Sequence, residues 1–284
     1  MNHNNKIVAV LLTVYNRKNI TLLSLKNLFN QTLPEGYTIE VYLTDDGCTD
    51  GTPDAVKVQF PQVNIIKGDG NLFWNRGMIA AWKEATKIKP DFFLLLNDDT
   101  YLLDNALKNL IDLSVTMLHT SVIVGATLNA ERDRITYGGR MKFKGLITEC
   151  NASQICDTFN GNTVLIPTHV YDKVGMLDSV FHHGIGDSDY GLRVTEAGLK
   201  CILCGEPIGI CDSHTSLPKW CNPKINVIER FKYLYRPGGN GNNPIEFFIF
   251  KNRHYGLFSA MKSFITNHIH ALVPSLWPQD ASKY

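Results

Sequence analysis

The chain has 284 residues, a formal charge of +1 and a hydrophobic fraction of 44%, an ordinary globular composition. So neutral a balance excludes broad nucleic-acid binding, which needs a basic face. No apolar run reaches the length of a membrane span.

The segment Met1 to Lys6 lacks the apolar core of a secretion signal, so a cytoplasmic protein with reduced cysteines is expected. Ile7 to Val14 is an apolar strand, followed by Tyr15-Asn16-Arg17 and a helix with Leu22, Leu25, Leu28 and Phe29 on one face. Ile39 to Thr44 is a second strand ending in Asp45-Asp46-Gly47, and Pro53 suits the first position of the next helix. Val63 to Lys67 is a third strand, with the turn Gly68-Asp69-Gly70-Asn71 after it and a helix over Met78 to Lys87. Phe92 to Leu96 is apolar at every position, the pattern of a strand buried on both faces. Alternating strands and helices predict an α/β fold with a mostly parallel sheet and helices on both sides.

Beyond about Thr127 the pattern changes. Ile135 to Phe143 reads as a hairpin or meander, Thr148 to Asp157 as a polar loop, and Thr163 to Ile166 as a strand. Tyr190 to Ala197 reads as a helix stopped by Gly198, with Asp187 or Asp189 as its cap. Cys201 and Cys204 have the spacing of a zinc pair, with Cys211 and His214 nearby, yet Leu199 to Leu203 reads as a buried strand in which cysteine packs as a small hydrophobe. Ser216 to Asn243 is partly irregular. Ile245 to Trp277 mixes aromatic, aliphatic and basic residues at helical spacing; it suits either a helix in a membrane interface or one packed on the main domain.

Four strand ends carry the chemistry. Parallel strands gather their carboxyl ends on one edge, so Thr13 to Arg17, Asp45-Asp46, Asp69 to Gly77 and Asn97 to Asp99 can share a cleft. The adjacent acids Asp98 and Asp99 repel each other unless a cation lies by them, and Mg or Mn takes carboxylate oxygens while leaving positions for phosphate. Asp45 or Asp46 can accept from a base N–H, and Arg76 can neutralise a phosphate. Further along, Asp187 or Asp189 can take a proton from an acceptor hydroxyl, and His214 can complete a metal shell begun by Asp99.

The segments Leu12-Thr13-Val14-Tyr15-Asn16-Arg17, Asp45 to Thr52, Leu96-Asn97-Asp98-Asp99-Thr100 and Gly186 to Arg193 together resemble the family 2 glycosyltransferases, which have the GT-A fold. The resemblance spans about Val8 to His214. It implies a nucleoside pocket lined by Thr13, Asn16 and Asp45, with Arg17, Asp46, Gly70, Asn75, Arg76, Asn97 and Asp98 as further nucleotide-binding candidates. It implies Asp99 and His214 as ligands of a divalent cation (Mn or Mg), and Asp187 as the general base with Asp189 in reserve. Two positions depart from the family pattern: the metal motif reads Asn97-Asp98-Asp99, and Gly186 stands where a glutamate is common.

The segment Gly70 to Gly77 resembles the branch that includes many rhamnosyl- and other surface-polysaccharide transferases. The expected activity is therefore an inverting, metal-dependent hexosyl transfer. The donor would be a nucleoside-diphosphate sugar, UDP or dTDP foremost. The acceptor would be a hydroxyl of a glycan or lipid-linked glycan. The expected organisation is a catalytic domain over 1–215, with nucleotide-binding (1–127) and acceptor (128–215) parts, and a helical extension over 216–284. The extension could touch the inner face of the cytoplasmic membrane. Two rival readings are a non-catalytic sugar-nucleotide-binding or scaffolding subunit and a sugar-nucleotide synthase. The synthase would carry a Gly-rich loop where this chain has Thr13-Val14-Tyr15-Asn16.

Overall fold

The computed structural model describes residues 5–213, 217–237 and 243–277. Its first half alternates strand and helix: β1 (Lys6–Val14), α1 (Lys18–Phe29), β2 (Tyr37–Asp45), α2 (Thr52–Gln59), β3 (Asn64–Lys67), α3 (Phe73–Ala85) and β4 (Phe92–Leu96). β1 lies between β2 and β4, parallel to both, and β3 continues the parallel set beyond β2. Side chains alternate across a strand, so each strand feeds two cores. Val8, Val10, Leu12 and Val14 point to one layer, where Leu25 and Leu28 of α1 and Val56 of α2 pack. Ala9 and Leu11 point to the other, against Met78 and Trp82 of α3. Full burial of each such leucine stabilises by about 1.5–3 kcal/mol relative to exposure, which is why these runs are apolar without interruption.

The sheet then changes direction. After β5 (Tyr101–Leu102), α4 (Ala106–Thr116) and β6 (Ser121–Leu128) come the short strands β7 (Ile135–Tyr137), β8 (Gly139–Met141), β9 (Gly145–Leu146), β10 (Gln154–Cys156) and β11 (Thr158–Phe159). β12 (Thr163–Pro167) is inserted between β4 and β6, antiparallel to both. Its register, Thr163 opposite Leu96, puts its first residues at the edge where β4 ends. After α5 (Thr168–Val174) and α6 (Gly186–Glu196), β13 (Lys200–Ile210) runs parallel to β6 and ends on that same edge.

Three sequence expectations are corrected here. Ile135 to Phe143, expected as a hairpin or meander, does not pair within itself: β7 pairs with β6, while β8 pairs with β9 and β11. The polar stretch from Thr148 contains β10, which pairs with β13 at the edge of the main sheet; only Cys156 of β10 is buried, so hydrophobicity does not announce it. The segment Ile245 to Trp277 is not one helix. Gly256, at φ +84, divides it, because only glycine enters that conformation without steric cost.

The C-terminal extension comprises α7 (Val227–Tyr235), α8 (Pro244–Tyr255) and α9 (Leu257–Leu272). Trp220, Cys221, Leu234 and Ala271 form a small core of its own. α8 joins it to the main body: Phe250 packs with Phe181 and Leu192, and Glu246 Oε1 lies 2.7 Å from His182 Nδ1.

His254 of α8 lies between two carboxylates, 2.9 Å from Asp189 Oδ1 and 2.7 Å from Glu196 Oε1. Burial lowers its pKa, but hydrogen bonding and attraction from both acids outweigh burial and raise it. The fold therefore binds the imidazolium more tightly than the unfolded chain does. That stabilisation is complete below the unfolded pKa of about 6.5 and is lost as pH rises through the raised value. The melting temperature is expected to fall as pH rises above about 6.5 and through the raised value, and His254→Gln should flatten that slope.

Candidate functional site

The strand ends do converge. A cavity of about 660 Å³ opens on the carboxyl edge of the sheet, where open α/β sheets bind ligands. β1 contributes Thr13, Val14 and the following Tyr15 and Arg17; β4 contributes Asn97, Asp98 and Asp99 through the turn after it. The antiparallel entry of β12 adds Asn160, Gly161 and Asn162, the segment before α6 adds His182, His183 and Gly184, and α6 adds Asp187.

The acid pair holds a cation of the chain's own. Arg17 Nη1 donates to Asp98 Oδ1 at 3.1 Å and to Asp99 Oδ2 at 2.7 Å. Asp98 is 6% exposed. Burial pushes its carboxyl up to about 6 despite the attraction of Arg17, and the neighbouring Asp99 adds to the rise. Burial lowers the Arg17 pKa, but the two carboxylates outweigh it and raise the value overall. The Cys211 thiol lies 3.6 Å from Asp99 Oδ1; burial first, then Asp99, pushes it up to about 12, so it stays protonated.

Asp46 builds the wall opposite. Its Oδ1 accepts from the N–H groups of Gly70 and Leu72, at 2.9 and 3.2 Å, and its Oδ2 from that of Phe73 at 2.8 Å. This carboxylate satisfies the orphan donors at the start of α3 from a neighbouring loop. The first turn of α3 then presents Trp74, whose indole Nε1 donates to Asn97 Oδ1 at 2.7 Å and whose ring fills the space where Gly161 would carry a Cβ.

Asp187 stands across the cavity. Its Oδ2 accepts from Gly161 N–H at 2.9 Å and its Oδ1 from Ser188 N–H at 2.7 Å. Burial raises its pKa, partly offset by those two N–H groups. The expected capping role is corrected: α6 begins at Gly186, its cap position is Ile185, and both aspartates lie inside the first turn. Ile185 itself is at φ +75, where a β-branched residue is strained by about 1–3 kcal/mol. Phe73 also has a positive φ, 55, a conformation that is strained for a bulky residue.

Gly186 has a packing reason. A Cβ there would land on Asn75 Oδ1, and Asn75 cannot yield, because its Nδ2 donates to the carbonyls of Asp178 at 2.8 Å and Phe181 at 2.9 Å. Gly186→Ala is expected to cost about 2–3 kcal/mol, read as a lower denaturation midpoint in urea with unchanged slope.

Residues 9–161 match the family model "Glycosyl transferase family 2". The chain belongs to that family. No curated protein sequence matches it. Among solved structures, this family 2 chain is similar to a mannosyltransferase from Pyrobaculum calidifontis in complex with GDP-Man and Mn2+, at 16% identity and TM-score 0.56, covering 97% of this chain and 88% of that one. It is also similar to S. aureus TarS, at 14% identity and TM-score 0.57, and to GalNAc-T7 with UDP, GalNAc and Mn2+, at 13% identity and TM-score 0.55. It spans 44% of the length of TarS and 58% of that of GalNAc-T7. These likenesses show the GT-A architecture: a largely parallel central sheet flanked by helices, with a C-terminal helical extension.

Of the residues singled out in the sequence of this family 2 glycosyltransferase, Thr13, Arg17, Asp46, Gly70, Arg76, Asn97, Asp98, Asp99 and Asp187 line the cavity. Others are turned to internal tasks. Asn16 Oδ1 accepts from Thr49 N–H, and Asp45 Oδ1 from Cys48 N–H. Asn75 pins the chain before α6, and Asp189 is enclosed by Arg193, Arg253 and His254. His214 lies outside the described residues. Sequence reasoning assigned no role to Trp74, Asn160 or His182. Trp74 belongs to the segment Gly70 to Gly77 that resembles the polysaccharide-transferase branch, whereas Asn160 and His182 carry no signal in the sequence.

Among the described residues no three His, Cys, Asp or Glu side chains converge as a metal site. Asp99 offers a hard carboxylate on the cavity wall, and that fits Mg or Mn, which is often held by one or two carboxylates with phosphate oxygens completing the shell. The protonated Cys211 is a poor ligand for such a cation.

Proposed function

We propose that this chain transfers a sugar, with inversion, from a nucleoside-diphosphate sugar to a hydroxyl of a glycan or lipid-linked glycan. The observation that carries this reading is the meeting, on one cavity, of the Arg17-bridged acids Asp98 and Asp99 with Asp187. Asp187 is the general base: its environment raises the carboxyl toward the range in which it takes a proton well. Two backbone N–H groups fix its orientation, so it meets the acceptor hydroxyl in one direction. Asp99 is the ligand for a divalent cation, which would neutralise charge on the departing diphosphate. Arg17 and Arg76 face the same space and complement phosphate. Thr13, whose buried hydroxyl has no partner among the described residues, lies at the nucleotide end.

Asn16, Asp45 and Asn75 shape that pocket by holding its loops, and Asp46 both holds a loop and lines the cavity. Residues 1–127 then form the donor part, 128–215 the acceptor part and 216–284 an extension. UDP or dTDP is the donor class, and surface-polysaccharide assembly in the cytoplasm is the setting, on the resemblance of Gly70 to Gly77 to that branch.

The test is thermal stabilisation by UDP, dTDP, GDP, CDP and CMP, each with and without manganese. A ligand bound at about 100 times its Kd stabilises the native state by about 2.7 kcal/mol. A shift with one diphosphate, larger with manganese, is expected. No shift with any nucleotide sinks the reading and leaves a non-catalytic subunit in its place.

A further inference from the structure

α9 carries apolar residues on its outward side as well as on the side packed against the molecule. The side packed on the molecule carries Ala260, Asn267 and Ala271, all buried. The opposite side carries Phe258, Met261, Ile265, Ile269 and Leu272, which are 84%, 50%, 54%, 42% and 55% exposed. At 100° per residue, Phe258, Ile265 and Ile269 lie directly across the axis from Asn267 and Ala271. Val273 and Leu276 extend the exposed strip past the helix end. An unbroken apolar strip of this size on a folded surface marks a contact site.

Charge identifies the partner. From Leu217 to Gln279 there are eight lysines and arginines against two acids, Glu229 and Glu246, although the whole chain is only +1. No acidic residue occurs between Phe247 and Gln279. Lys219, Lys224 and Lys262 are exposed, Lys232 is exposed but paired with Glu229 at 2.6 Å, and Arg236 lines the cavity instead. Lys262 follows Phe258 by one turn, on the apolar side itself. In a symmetric contact between two copies it would be brought into a greasy, like-charged interface. At a lipid surface it reaches up to the headgroups while its stem stays in the apolar layer. Among the described residues no helix is long and apolar enough to cross a membrane, so this contact is parallel to the surface.

We propose that the exposed side of α9 docks on an anionic lipid bilayer, lying in the interface with Phe258, Ile265 and Ile269 among the acyl chains. α8 fixes this helix to the main body through Phe250, Glu246, Arg253 and His254, so docking holds the domain at the surface. The inference does not rest on the transferase reading, since it is measured without donor or acceptor.

The experiment is co-sedimentation of the full chain with vesicles of phosphatidylcholine alone or mixed about three to one with phosphatidylglycerol. Binding is expected with the anionic vesicles and should weaken as salt is raised. The double variant Phe258→Ser/Ile265→Ser should lower partitioning by at least ~tenfold at an unchanged melting temperature. Lys262→Glu should weaken binding to anionic vesicles alone. Absence of binding to either vesicle overturns the proposal, as does binding that the double variant leaves intact. Light scattering that shows a dimer dissociated by the double variant overturns it in favour of a second copy.

Discussion

Asp187→Asn is expected to abolish transfer while leaving nucleotide binding in place. General-base catalysis is worth about 10²–10⁴ in rate, and asparagine cannot accept the acceptor's proton. The substitution is close to isosteric, and one amide oxygen can still accept from Gly161 or Ser188 N–H, so the wall of the cavity should survive. Nucleotide-induced thermal shifts should therefore match those of the unaltered chain while initial rates fall to background. A variant that keeps both its shift and its rate removes Asp187 from the mechanism. The pH profile gives a second reading. A base must be deprotonated to act, so kcat/KM should fall as pH drops through its pKa. Burial raises that pKa, so the acid limb should lie above the ordinary aspartate value of about 3.9. A limb also shaped by Asp98, whose carboxyl is pushed up to about 6, is separated from it by repeating the profile with Asp98→Asn.

The parallel half of the sheet was legible because its strands are buried on both faces, which leaves nearly continuous apolar runs such as Phe92 to Leu96. The rule that parallel strand ends share an edge then brings Thr13, Asp46 and Asp99 together from the sequence alone. The second half was less legible for a physical reason. β12 looks like any other buried run, and nothing in Thr163 to Pro167 says that it is antiparallel to β4. Yet this reversal is what delivers Asn160 to Asn162 to the cavity. The acid pair was read as a site needing a cation, and the nearest one in the structure is Arg17, which lies 81 and 82 residues away in the chain. Long-range pairings of that kind leave no local pattern. The same holds for Asp46, which lines the cavity and whose oxygens also accept from the backbone of the segment from Gly70 to Phe73.

Asp189→Ala is expected to cost about 3–5 kcal/mol of stability, a large share of the roughly 5–15 kcal/mol of a typical domain. The Asp189 carboxylate is fully buried and takes three partners: Arg193 Nε at 2.8 Å, Arg253 Nη1 at 2.6 Å and His254 Nε2 at 2.9 Å. Burial alone would raise its pKa, but hydrogen bonds from His254 and Arg193 and the charges of both arginines bring it below the ordinary value. Removing the acid leaves the buried His254 without one of its two acceptors and Arg253 with only Asp178, at 2.7 Å. Because Arg253 and His254 belong to α8, the loss should first loosen the extension from α6. Proteolysis should then cut between the two before the sheet unfolds. The sign with pH is opposite to that of His254. A lowered carboxyl pKa gives stability that is present above the unfolded value of about 3.9 and lost as pH falls through the folded one, so the variant should be less acid-sensitive than the parent. Asp189→Asn restores size and one acceptor but no charge. It should recover part of the loss, and a variant as stable as the parent would show that packing, not charge, holds α8 to α6.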